Sequence, residues 1–190
     1  MSRRERLLLR SHLFRFLRGR LVVHADSPPP GLGTTRFLAV EHDRLQACRL
    51  QPPRHLRRGY AATERLLHDL QADLQLRGTG LVVLLIPDEV QVSPELFARV
   101  LANYGEQASA YDLDLPNARI GAALSSAGIP AVDVLAECRQ RRRQEPVYVP
   151  EDTHWNAVGH AIAARALKAE IESLYPRLRR PSVEARSALR

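Results

Sequence analysis

Residues 81–87, Leu-Val-Val-Leu-Leu-Ile-Pro, form an unbroken apolar run closed by a proline. The run is far too short to cross a membrane and too uniformly apolar for a strand with one wet face. It therefore reads as a strand over Leu81–Ile86 buried on both sides, the place such runs occupy inside a parallel sheet. Upstream, Tyr60, Thr63, Leu66, Leu67, Leu70 and Leu74 recur at helical spacing, and Gly78 with Gly80 ends that helix before the strand begins. Downstream, Ser93 is a natural N-cap and Pro94 suits the first helical position, which predicts a helix from Pro94 to about Asn103.

The same alternation continues. A helix is expected over Asn117–Ala127, and after Gly128 and Pro130 a short strand over Ala131–Asp133. Arg139–Arg143 reads as a polar basic stretch and Tyr148–Val149 as a brief extended piece. The final helix is expected from Asn156 to Leu174, with Val158, Ile162, Ala166 and Ile171 facing the core. The segment Arg36–Leu50, closed by Gln-Pro-Pro-Arg, has no clear period and reads as a strand or an irregular connection. Strand, helix, strand order implies an α/β fold, a three-layer α/β/α sandwich whose sheet is mainly parallel. The legible sheet is small enough for the sandwich to be incomplete.

A chain of 190 residues is most simply one folded unit. It divides into a basic helix and loop region at 1–55, the α/β region at 56–176 and a basic tail at 177–190. Residues 5–17 carry Leu9, Leu13, Phe16 and Leu17 on one helical face, Leu21–His24 fits a short strand, and the three prolines after Ser27 require a loop. No apolar run reaches the length of a membrane span, and arginines interrupt the N-terminal hydrophobics, so no export signal is readable. Localisation stays open, with an extracytoplasmic site compatible with a longer N-terminus. The net charge of +7 comes almost wholly from arginine, since Lys168 is the sole lysine. That excess admits a non-catalytic module binding a polyanion such as an acidic polysaccharide through a basic surface. Nucleic acid fits less well, because no array of base-stacking aromatics accompanies the arginines. Cys48 and Cys138 are too few and too far apart to set a disulfide framework or a metal knuckle.

Chemistry concentrates in Tyr148–Leu167, Tyr-Val-Pro-Glu-Asp-Thr-His-Trp-Asn-Ala-Val-Gly-His followed by a helix. Asp152 and His154, two residues apart in a segment kept extended by Pro150, can point the same way. An acid so placed can hold an imidazole in one tautomer and stabilise it when protonated. Asn156 suits the N-cap of the last helix, and Gly159 allows that helix to pack closely against a strand. From the residues alone, the pair fits either catalysis or an ordinary capping and packing arrangement. Asp152, His154 and His160 match no established metal-ligand spacing, so no metal is expected.

This block resembles the last conserved block of the SGNH, or GDSL-like, hydrolase superfamily, in the Asp-Thr-His-Trp-Asn form of the relatives of alginate O-acetyltransferases. "LVVLLIPDEVQV" and "GIPAVDVL" resemble the family's preceding strands, so the likeness covers about residues 56–170. It implies that His154 is a general base, that Asp152 orients it, that the nucleophile is a serine attacking an acyl ester, and that no cofactor is needed. The implied substrate is an acylated small molecule or carbohydrate. The family's Gly-Asp-Ser and Gly-x-Asn-Asp blocks are missing from this sequence. Ser27 in Ala-Asp-Ser-Pro-Pro-Pro is the nearest stand-in, but the prolines oppose the helix that the family's serine opens. Asn103, Asn117 and Asn156 are the only asparagines, and none sits in the context of the oxyanion residue. The expectation is a domain inactive alone, either degenerate or completed by an upstream segment or partner chain that supplies the nucleophile.

Overall fold

A computed structural model describes residues 33–176. The basic helix expected at 5–17, the strand at 21–24, Ser27 and the tail from 177 onward lie outside the described residues.

Helix α1, Thr34–Leu45, occupies most of the segment read as strand or irregular. Phe37, Leu38, Glu41 and Leu45 lie on one face of it and are all buried. A helical period with a glutamate at one core position does not announce itself as apolar, which is why the sequence pattern concealed it. A 3-10 turn, Gln46–Cys48, and two prolines lead into α2, Arg54–Leu76. This helix closes as expected, with Gly78 at φ 64° and the Gly78 and Thr79 amides donating to the carbonyls of Gln75 and Leu74.

Strand β1 covers Val83–Leu85 and pairs in parallel with β2, Ala131–Asp133, in the register Val83 to Ala131, Leu84 to Val132 and Leu85 to Asp133. The parallel pairing and the bounds of β2 agree with the sequence reading. The interior position does not: β1 has one strand neighbour among the described residues, its residues are half-buried, and Ile86 is 61% exposed. Apolar content reported a strand able to be covered on both faces, whereas its actual place depends on strands that the described residues do not supply.

Between the strands run α3 (Glu89–Val92), α4 (Pro94–Tyr104) and α5 (Leu115–Ser126). Ser93 caps α4 by accepting from the Leu96 amide at 3.2 Å, Pro94 opens it, and Gly105 at φ 65° closes it. After β2, α6 (Leu135–Arg142) anchors the supposed polar stretch through buried Leu135 and Cys138, and α7 spans Ala157–Leu174. The molecule is thus an α/β fold with a small parallel sheet, mostly helical by content.

Two apolar clusters hold it together. Phe37, Leu38 and Leu45 of α1 meet Val90, Leu96, Val100 and Tyr111 in the first. Val92, Val134, Cys138, Val147, Tyr148 and Ile162 form the second, with Leu84, Trp155, Val158 and Ala166 packed against it. Cys48 and Cys138 are buried in separate clusters, and burial pushes their thiols up to about 12 and about 11, so neither is a ready nucleophile.

Candidate active site

The residues joining α6 to α7 fold back as a tight hairpin rather than the extended segment anticipated from Pro150. Tyr148 bridges Trp155 in antiparallel fashion, the Val149 amide donates to the His154 carbonyl at 3.0 Å, and the Asn156 amide donates to the Val147 carbonyl at 3.0 Å. At the tip, the Asp152 amide donates to the Val149 carbonyl, and Glu151 adopts φ 50° without being a glycine. A side chain rarely sits in that left-handed region unless its surroundings hold it there. Here Thr34 Oγ1 donates to Glu151 Oε1 at 2.8 Å, and Arg99 lies 3.7 Å from the same oxygen.

The hairpin base is fixed more firmly. The buried Tyr148 hydroxyl donates to the Pro87 carbonyl, just past β1, at 2.5 Å, so the hairpin is tied to the carboxyl end of the strand. Trp155 packs edgewise on Tyr148 and His160. A Cβ at Gly159 would lie 2.6 Å from Trp155 Cγ and 2.8 Å from the Val147 carbonyl oxygen, so only glycine lets α7 approach this closely. Asn156 caps α7 as expected, its Oδ1 accepting from the amides of Val158 and Gly159, while its Nδ2 donates to the Pro146 carbonyl at 2.8 Å.

On this support Asp152 Oδ1 accepts from the His154 amide at 3.0 Å and stands 2.5 Å from His154 Nδ1. The bonds from His154 hold the Asp152 carboxyl below the usual carboxylate range, so it is anionic at neutral pH. An anionic partner at Nδ1 selects the tautomer with the proton there and leaves the Nε2 lone pair free. The imidazole is 83% exposed, so that lone pair faces outward. His160 is not part of the pair, and among the described residues no three histidine, cysteine or acidic side chains gather as a metal site requires. Asn117 is engaged with Asp133 and Gln91, and Asn156 with its cap.

Beneath the turn lies a hollow of about 230 Å³ whose walls include Phe37, Glu89, Arg99, Tyr148 and Glu151. Burial, reinforced by the charge of Glu41, pushes the Glu89 carboxyl up to about 7, and its Oε2 has no hydrogen-bond partner among the described residues. Sequence reasoning passed over Glu41, Glu89 and Glu151. Only Glu151 carried a local signal, as the acid immediately preceding the Asp-Thr-His segment.

Three probable alginate O-acetylases AlgJ align with this chain. The one from Pseudomonas aeruginosa is 32% identical over 110 residues, 58% of this chain and 26% of that protein. Those from Pseudomonas syringae pv. tomato and Pseudomonas putida are 28% and 30% identical, and the chain spans about a quarter of the length of each of these curated relatives. No solved structure matches significantly. The family described as "SGNH hydrolase-like domain, acetyltransferase AlgX" matches residues 46–188, most of the chain, including both strands and the Asp152–His154 hairpin. The chain belongs to this SGNH hydrolase-like acetyltransferase family.

Proposed function

We propose that this chain provides the His154–Asp152 half of a serine-type acyl-transfer site acting on acetylated carbohydrate, and that the serine and oxyanion donors come from an upstream segment or a partner chain. The observation that carries the reading is the outward-facing imidazole held at Nδ1 by an ionised carboxylate. Its place at the carboxyl end of a parallel strand, where α/β folds gather their ligand-binding groups, also supports it. So does the free edge of β1 among the described residues, to which a further strand can add. The relatives' description as alginate O-acetylases supports an acyl group on a sugar hydroxyl.

In this chemistry His154 Nε2 takes the proton of a serine hydroxyl as its oxygen bonds to the acyl carbonyl carbon. Asp152 stabilises the resulting imidazolium without taking its proton. The imidazolium then protonates the departing sugar oxygen, leaving the acyl group on the serine. An acceptor hydroxyl, deprotonated in turn by His154, attacks the acyl-serine and carries the acyl group away; water in its place gives hydrolysis.

The test is turnover of p-nitrophenyl acetate and of an acetylated oligosaccharide by the purified chain. The expected rate on either substrate is no higher than that of a His154→Ala control, because base and acid alone cannot supply the covalent step. Saturable turnover that Ser27→Ala abolishes would overturn the need for an outside nucleophile.

A further inference from the structure

The exposed side of α6 carries a feature that the acyl-transfer reading leaves unused. Arg139, Arg142 and Arg143 line a cavity of about 370 Å³ whose other walls include Val92, Phe97 and Leu113. Arg139 is held in place: its Nε donates to the Gln91 carbonyl at 2.9 Å and its Nη1 to Asp114 Oδ1 at 2.5 Å. Its Nη2 makes no hydrogen bond with a described residue. Arg142 reaches Glu95 only at 3.5 Å, and that carboxylate, which also lines the cavity, is 71% exposed to solvent. Arg143 forms no ion pair with a described residue. The cavity therefore has a fixed guanidinium, two further guanidiniums with donors to spare, and an apolar wall.

These properties select a ligand. Several planar guanidinium donors suit a carboxylate, which accepts two parallel bonds from one arginine. A bare ion would leave the walls of Val92, Phe97 and Leu113 uncovered, whereas a neutral apolar molecule would strip water from the guanidiniums without replacing it. The volume lies near the lower end of the roughly 300–1,000 Å³ of small-molecule pockets. We infer that this cavity binds a small organic carboxylate joined to a ring-sized apolar body. Neither Asp152 nor His154 lines it, so the inference stands independently of the acyl-transfer reading.

Titration of the whole chain with benzoate, followed by NMR, tests it. Benzoate should bind saturably in the low millimolar range and benzamide should not. Arg143→Gln should weaken benzoate about tenfold, the loss of one charge-assisted interaction. Arg141→Gln makes the same change in charge on a residue that pairs with Glu145 and lines a different hollow. It should alter binding less than twofold. Unchanged melting temperatures confirm that both variants fold. Lack of saturation, equal weakening by the two variants, or displacement of benzoate by an equal concentration of inorganic phosphate would each overturn the inference.

Discussion

Helices α1 and α2 are neighbours in sequence and opposites in environment. α1 has 12 residues and buries Phe37, Leu38, Glu41 and Leu45; α2 has 23 residues and buries none. The longer helix has the more regular leucine stripe, yet Leu66 is 67% exposed and Leu70 is 44% exposed. Its ties lie in its first half: the Tyr60 hydroxyl donates to the Ala47 carbonyl, and Arg119 of α5 lies 4.5 Å above the Tyr60 ring and 3.6 Å from Glu64. Amphipathicity states what a helix can bury, while burial itself depends on what stands opposite. α1 faces α4 and the start of α3, and through Thr34 it steadies the turn that carries His154. Among the described residues, Leu66 and Leu70 of α2 have no comparable cover, a condition shared by Ile86 after β1.

The strongest test of this contrast is leucine truncation on each helix. Leu45 is 0% exposed, and Leu45→Ala should cost about 2–5 kcal/mol through lost burial and the cavity left behind. Leu66→Ala should cost no more than about 0.5 kcal/mol, as expected for a surface position. Urea unfolding of both variants measures the difference; similar losses would show that α2 is buried in solution.

The next effect comes from Glu41. Its side chain is wholly buried, and Oε2 accepts from the Val90 amide at 3.1 Å. Burial, then the charge of Asp88, push its carboxyl up to about 7, against the opposing pulls of the Val90 amide and Arg44. Between the unfolded value of 4.5 and about 7, the folded state keeps a proton that the unfolded chain has lost. This contribution is fully present below that window and disappears as pH rises through about 7, a loss of about 3 kcal/mol if the whole shift is realised. Because pH 5 already lies inside that window, melting temperature should fall by about 5–10 °C between pH 5 and pH 8.5, on the basis of 2–4 °C per kcal/mol. Glu41→Gln should reduce that fall, the remainder coming from Glu89, whose carboxyl burial also pushes up to about 7. A variant with the same pH slope as the parent would remove Glu41 from the account.

The legible parts of the molecule were those marked by local chemistry. Ser93-Pro94 announced α4, Gly128 and Pro130 framed β2, and Asn156 announced the cap of α7. α1 was hidden because Glu41 occupies a core position, and α6 because its arginines outnumber the two anchors, Leu135 and Cys138. The spacing of Asp152 and His154 allowed their contact, but nothing local foretold the hairpin around them. That shape rests on Thr34 meeting Glu151 and Tyr148 meeting Pro87, contacts between residues distant in sequence. The edge position of β1 was equally out of reach, since apolar content reports how much cover a strand tolerates and not how much it receives.

The smallest expected effect bears most directly on what α2 is for. Replacing both Leu66 and Leu70 by lysine places two charges on a face already open to water. Lysine is as good a helix former as leucine, so the backbone has no reason to object. Stability of the chain by itself should change by less than about 0.5 kcal/mol per site. If the stripe is instead covered by further protein in the complete assembly, the same double variant should abolish association with that protein, because two ammonium groups would then have to be buried without partners. Thermal melting and sedimentation of the isolated chain, followed by co-purification with the upstream segment or partner chain proposed to supply the serine, separate the two cases. Unchanged melting with lost association would assign the stripe to an interface. Unchanged melting with intact association would make it a solvated surface, and a large fall in melting temperature would mean that the isolated chain already buries it.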